Sequence, residues 1–200
     1  MILRTSPSSP FGRKVKILAI HCGLMGGIHL EHVNTLDPDE NLLNQNPLGK
    51  IPVLVLDSGV SIYDSQVICE FLDSFSEGIR FFPQGPDRWG ALTLSALADG
   101  IIEAALSQVY EVRYRPEERR HEDWQVMQSS KVTRGLDLLE NNVPHITQTP
   151  NIGHLTLACA LGYLDFRFEG SWRDTHTNLV SWLDVFSNQV PAYSATMPGD

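Results

Sequence analysis

Apolar positions change their period several times along this chain, and each change marks an element. Ile2 to Arg4 reads as a short strand, the run TSPSSP breaks it, and from Phe11 the positions 11, 15, 18, 19 and 22 fall on one helical stripe that stops at Gly23. Ile28 to Val33 has strand composition, and Asp37 to Asn46 is polar and loop-like with room for one helical turn around Leu42 and Leu43. Val53 to Leu56 and Val60 to Tyr63 form a hairpin about Asp57-Ser58-Gly59. Ile68, Phe71, Leu72 and Phe75 then repeat at i, i+3, i+4, i+7, which predicts a helix. The order is β-α-β-loop-β-β-α.

A Gly- and Pro-containing connector at 78–86 places a domain boundary there, between an α/β domain at 1–77 and a second domain at 87–200. Leu92 to Val112, Trp124 to Leu139, Ile152 to Phe168 and Leu179 to Val190 all read as helix, so the second domain is all-α. LTLACALGYLDF is apolar nearly all round, as in a helix buried at the heart of a bundle, and Asn151 stands where it caps that helix. The groove between such domains is the natural pocket.

The segment NPLGKIPVLVLDSGVSIYDSQVICEFL, 46–72, carries the most chemistry. Pro52 stands directly before an apolar strand, where its missing N–H suits a turn or an edge. A cis Ile51–Pro52 bond would leave the main chain of Ile51 facing outward, free to pair with an extended peptide. Asp64 and Ser65 sit where a strand gives way to a helix, so unpaired amides and a hydroxyl converge on a helix N-terminus that suits a carboxylate. Taken singly, a Pro before a strand is an ordinary strand start and Asp-Ser an ordinary helix cap. Their uninterrupted order is what points to a ligand edge.

Composition narrows the ligand. Of 200 residues, 42% are hydrophobic and 20% charged, an ordinary globular balance. A formal charge of -9 argues against non-specific nucleic-acid binding, so an anion would be held locally by backbone amides and a few placed cations. No run of eighteen apolar residues and no secretory pattern at the N-terminus occur, which leads to the expectation of a soluble cytoplasmic protein without membrane contact. Cys22, Cys69 and Cys159 are far apart and lie in apolar helical patterns, as reduced buried thiols do. His29 and His32 lie three apart on a strand, on opposite sides, and no histidine pair has ligand spacing, so no metal is expected.

Through SPSSPFGRKV at 6–15, NPLGKIPVL at 46–54, YDSQVICEFL at 63–72, ALADGI at 96–101 and NIGHLTLACALGYL at 151–164, the chain resembles the glutathione S-transferase superfamily over its full length. It is most similar to bacterial members with a serine in the first loop. The resemblance implies an α/β thioredoxin-like N-terminal domain that binds glutathione, and an all-α C-terminal helical bundle that shapes the site for a hydrophobic electrophile. It implies the catalytic residue Ser9, which would donate a hydrogen bond to the glutathione sulfur. Ile51, beside Pro52, would pair with the cysteinyl main chain, Asp64 and Ser65 would hold the γ-glutamyl end, and Lys50 the glycyl carboxylate.

Each assignment has a plainer counterpart. Ser9 before Pro10 is also a favoured N-cap arrangement, and Ser8 and Ser6 are alternatives for the sulfur. Lys50 reads equally as a solvated surface lysine. Phe11, Tyr110 and Arg113 are candidates for the co-substrate pocket, although Tyr110 also suits plain packing. Asp99 would reach the glutathione of a neighbouring subunit in a homodimer, or pair within its own bundle. Arg13, one turn after Ser9, offers a cation to bias the sulfur, but reads more readily as a helix-surface ion pair. His154 stands where relatives carry an Asp that caps back onto the helix start, and a neutral His is not expected to make that bond. The activity implied is glutathione conjugation or hydroperoxide reduction in detoxification, since a first-loop cysteine for mixed-disulfide exchange is missing. The alternative is a glutathione-binding or scaffold protein of the same fold that does little chemistry.

Overall fold

The computed structural model describes residues 1–78, 80–146 and 149–199. The chain divides into two compact units, one of residues 1–82 joined by the segment from Val190 onward, the other Pro83–Gln189.

In the first unit the elements run β1 (Ile2–Thr5), α1 (Pro10–His21), β2 (His29–His32), α2 (Glu40–Gln45), β3 (Val53–Val55), β4 (Ser61–Ile62) and α3 (Ser65–Asp73). The polar stretch before Asn46 thus carries a short helix, started by Asp39 accepting from Leu42 N. The sheet order is β2-β1-β3-β4, with β1 and β2 parallel and the other pairs antiparallel. Helices α1 and α3 pack on each other, and Leu3, Val15, Leu18, Leu54, Ile68 and Leu72 are fully buried. The start of α1 is pressed against the end of β1. A Cβ built on Gly12 falls on Thr5 Oγ1, so no larger residue fits without displacing one of them.

Two expectations about the domain limits change. The first unit extends past residue 77 because Asp73 accepts hydrogen bonds from the amides of Phe81 (2.7 Å) and Phe82 (3.3 Å), and both phenylalanines are buried. Burial pushes the Asp73 carboxyl up, against the pull of those two amides. At the other end, the segment with helix α8 (Pro191–Ser194) belongs to the first unit and not to the helical bundle. Arg13 explains this: its Nη2 donates to Tyr193 O at 2.8 Å, and the guanidinium lies 3.9 Å from the centre of the Tyr193 ring. Arg13 is therefore 2% exposed, and the surface ion pair expected for it is replaced by an anchor for the chain's last turn.

The second unit holds α4 (Asp87–Tyr114), α5 (Glu122–Asn141), α6 (Ile152–Phe168) and α7 (Thr177–Gln189). Helix α6 is buried from Ile152 to Leu164, as its all-round apolar sequence requires. It packs chiefly on α4, where Gly153 permits close approach and Ser95 Oγ meets Thr156 Oγ1 at 2.9 Å. Helix α4 is long and apolar enough by composition to cross a membrane, but here it packs against α5 and α6. Helix α7 begins under the Glu140 carboxylate, which accepts from the amides of Asn178 and Leu179.

The start of α6 corrects the expectation for His154. Its Nδ1 accepts from Asn151 N at 3.0 Å, while Asn151 Oδ1 accepts from His154 N at 3.2 Å. A neutral imidazole has one acceptor nitrogen, and here that nitrogen completes the reciprocal cap. Burial, helped by the charge of His145, lowers the His154 pKa to about 4, which keeps the ring in that form.

Candidate functional site

Strand register gathers the first-unit candidates at one end of the sheet. Arg4 pairs with Val53 at the end of β1 and the start of β3, and Leu54 pairs with Ile62 at the end of β4. The Ser6–Ser9 loop, the Ile51–Pro52 step and the Asp64–Ser65 step therefore leave the sheet side by side. The three steps follow or precede neighbouring strands of the sheet, in the order β1-β3-β4. Strand spacing makes that row about 10 Å across, close to the length of three extended residues.

Each member presents backbone or hydroxyl groups. The Ile51–Pro52 bond is cis, as is Tyr63–Asp64. Among the described residues neither the N–H nor the C=O of Ile51 has an intrachain hydrogen-bond partner. The approach to it is clamped by Asn46, whose Nδ2 donates to Lys50 O at 2.9 Å and whose Oδ1 accepts from Leu48 N at 3.1 Å. Gly49 completes this turn at φ +61°, a conformation that suits glycine. Sequence reasoning missed Asn46; the signal available was its place in an Asn-Pro-x-Gly turn. Lys50 is exposed, and only its carbonyl is drawn into the clamp.

Asp64 caps α3 by accepting from Gln66 N at 3.0 Å, which occupies one carboxylate oxygen. Ser65 is buried at the first helical position, and the amides of Ser65 and Val67 have no acceptor among the described residues. Two donors and a helix dipole thus remain for an anion.

Ser9 is the N-cap of α1, its Oγ accepting from Gly12 N at 3.0 Å. The structural and chemical readings of Ser9 are compatible. Capping uses a lone pair, whereas a bond to a sulfur would use the hydroxyl proton. Phe11 follows, partly buried, with Lys14 Nζ 5.8 Å from its ring centre.

The remaining candidates belong to the second unit. Tyr110 and Arg113 both lie on α4, with the guanidinium 5.7 Å from the Tyr110 ring centre. They stand near Tyr163 of α6, a buried tyrosine that sequence reasoning missed because its helix is apolar on every side. Burial pushes the Tyr163 phenol up, against the pull of Arg167, which hydrogen-bonds it. Asp99 is half-buried on α4. Among the described residues no group of three or more His, Cys, Asp or Glu side chains is placed to hold a metal.

Comparison with known proteins gives this arrangement a context. The family profile "Glutathione S-transferase, N-terminal domain" matches residues 8–74. The uncharacterised GST-like protein YibF of Escherichia coli K12 is 37% identical over 206 residues, covering 99% of this chain and 98% of its own. A glutathione transferase family member from Pseudomonas fluorescens Pf-5, solved with bound glutathione, is 39% identical, with a TM-score of 0.91 and coverage of 100% and 99% of the two chains. A Pseudomonas fluorescens Pf-5 family member solved with bound S-(propanoic acid)-glutathione is also 39% identical, with a TM-score of 0.87 and full coverage of both chains. The fold is a thioredoxin-like sheet and helices followed by a helical unit. With identity near two-fifths along its whole length, this chain belongs to the bacterial glutathione S-transferase superfamily.

Proposed function

We propose that this chain is a glutathione-dependent transferase that activates the thiol of bound glutathione for attack on an electrophilic small molecule. The observation that supports the reading is the pairing of β1, β3 and β4 side by side, with the Ser6–Ser9 loop, Ile51 and Asp64–Ser65 beside their ends. A tripeptide of about 10 Å fits that row. Its cysteinyl main chain pairs with Ile51, its γ-glutamyl carboxylate meets the free amides of α3, and its ammonium meets the second oxygen of Asp64. Lys50 supplies the cation for the glycyl carboxylate. The binding of glutathione and of S-(propanoic acid)-glutathione by Pseudomonas fluorescens relatives supports this choice of ligand.

Ser9 is the group that turns binding into reactivity. A free thiol with a pKa of about 8.5 is only about 3% thiolate at pH 7, and lowering the pKa by about two units makes the thiolate the majority species. That is about 2.7 kcal/mol, within reach of one hydrogen bond to an anion together with the dipole of α1. The thiolate then attacks an electrophilic carbon, or the O–O bond of a hydroperoxide. Tyr110 and Arg113, neighbours on α4, are the second unit's contribution to binding the co-substrate. Superfamily membership supports a cytoplasmic homodimer with Asp99 contacting the partner's glutathione, and a role in detoxification.

Ser9→Gly separates the two roles of the serine, because glycine at an N-cap costs only a few tenths of a kcal/mol but offers no hydroxyl. The expected result is glutathione binding preserved by calorimetry, with the pKa of the bound thiol, read from thiolate absorbance, raised by about one to two units. Conjugation of an aryl halide at neutral pH should fall about 3- to 25-fold, in step with the thiolate fraction. An unchanged thiol pKa would move the role to Ser8 or Ser6. Tight glutathione binding with no turnover of any electrophile would favour the non-catalytic binding protein.

A further inference from the structure

The Arg13 guanidinium, outside the ligand row, is 2% exposed, and among the described residues its Nε and Nη1 have no hydrogen-bond partner. Its Nη2 donates to Tyr193 O and also to Met197 Sδ at 3.2 Å. A thioether is a weak acceptor, so this contact leaves a buried cation under-satisfied. Met197 itself is 62% exposed, so an oxidant can reach the side chain.

We propose that Met197 is a site of reversible oxidation by hydroperoxides, and that the sulfoxide fastens the C-terminal segment to α1. A sulfur lone pair attacks the peroxide, the O–O bond breaks, and an S–O bond forms. Sulfur loses two electrons, and the second peroxide oxygen leaves as water or an alcohol after taking up a proton. The new oxygen is a strong acceptor standing one bond from a sulfur already in contact with the guanidinium. Arg13 Nη1, next to Nη2 on the same group, is the donor waiting for it. Oxidation of methionine ordinarily disrupts packing by making an apolar side chain polar. Here the polar product meets a cation two of whose three nitrogens lack an acceptor among the described residues.

The test is to treat the protein with millimolar hydrogen peroxide, map sulfoxides by peptide mass spectrometry, and record thermal unfolding before treatment, after it, and after repair by methionine sulfoxide reductases. Met197 should oxidise ahead of the half-buried Met25, and Tm should rise by about 2–4 °C and return on repair. Met197→Leu should abolish the rise. Met197→Gln, which carries an amide oxygen in the sulfoxide's place, should melt above Met197→Leu without any oxidant. The proposal is overturned if Met197 stays reduced while Met127 of α5 is modified, if its oxidation leaves Tm unchanged or lowers it, or if the Gln and Leu variants melt together.

Discussion

His154→Gln tests whether a neutral imidazole is what holds the start of the central helix. Glutamine keeps an acceptor for Asn151 N and so preserves the reciprocal cap, but it cannot take up a proton. In the folded protein His154 titrates at about 4, against 6.5 for the ordinary group. Between those values the unfolded chain holds a proton that the fold rejects, so the stability contributed by neutral His154 is complete above pH 6.5 and drains away as pH falls toward 4. At pH 5 the loss relative to pH 8 comes to about 2 kcal/mol. The ring is 5% exposed, so solvent screening discounts this little. Urea unfolding of both proteins at pH 8 and pH 5 reads the quantity directly. The two should lie within about 1 kcal/mol at pH 8, since the glutamine loses only the imidazole's packing near Trp182. The variant should be the more stable by about 1–2 kcal/mol at pH 5, or about 2–8 °C in Tm. Titrations elsewhere in the chain are shared and cancel in the difference. Parallel pH profiles for the two proteins would mean that His154 is not held neutral, and the reasoning about the cap would fall with it.

Gly153→Ala adds a Cβ 2.7 Å from both Ala91 O and Leu94 Cβ, where backbone cannot give way as a flexible side chain would. A net destabilisation of about 1–2 kcal/mol is expected, part of the clash being offset by the helix propensity of alanine, and a Tm at or above that of the parent chain would contradict the close α4–α6 approach. Asp73→Ala strands the amides of Phe81 and Phe82, so a loss of about 2–3 kcal/mol is expected in urea unfolding, together with faster hydrogen exchange at those two amides; unchanged exchange there would show that they find other partners.

The sequence by itself determined the parts of this protein that depend on local period and local turn chemistry. The stripe at 11, 15, 18, 19 and 22, the hairpin about Gly59 and the all-apolar helix before Phe168 were legible because each buries its face whatever lies beside it. The motifs that nominate the candidate residues were legible in the same way, each being a contiguous run. Tertiary structure decided what distant segments do to one another. Phe81 and Phe82 stand in a segment whose glycines and prolines predict a linker, but the Asp73 carboxylate ties their amides down. Val190 onward reads as the end of the helical domain, yet a buried arginine 180 residues from Tyr193 draws it onto α1. In sequence His154 reads as a poor capping residue, and burial, by fixing its charge state, makes it a good one. The Ser6–Ser9 loop, Ile51 and Asp64–Ser65 come to one end of the sheet because β1, β3 and β4 pair side by side. Periodicity is a property of neighbours in the chain, while pairing, burial and charge state are set by neighbours in space.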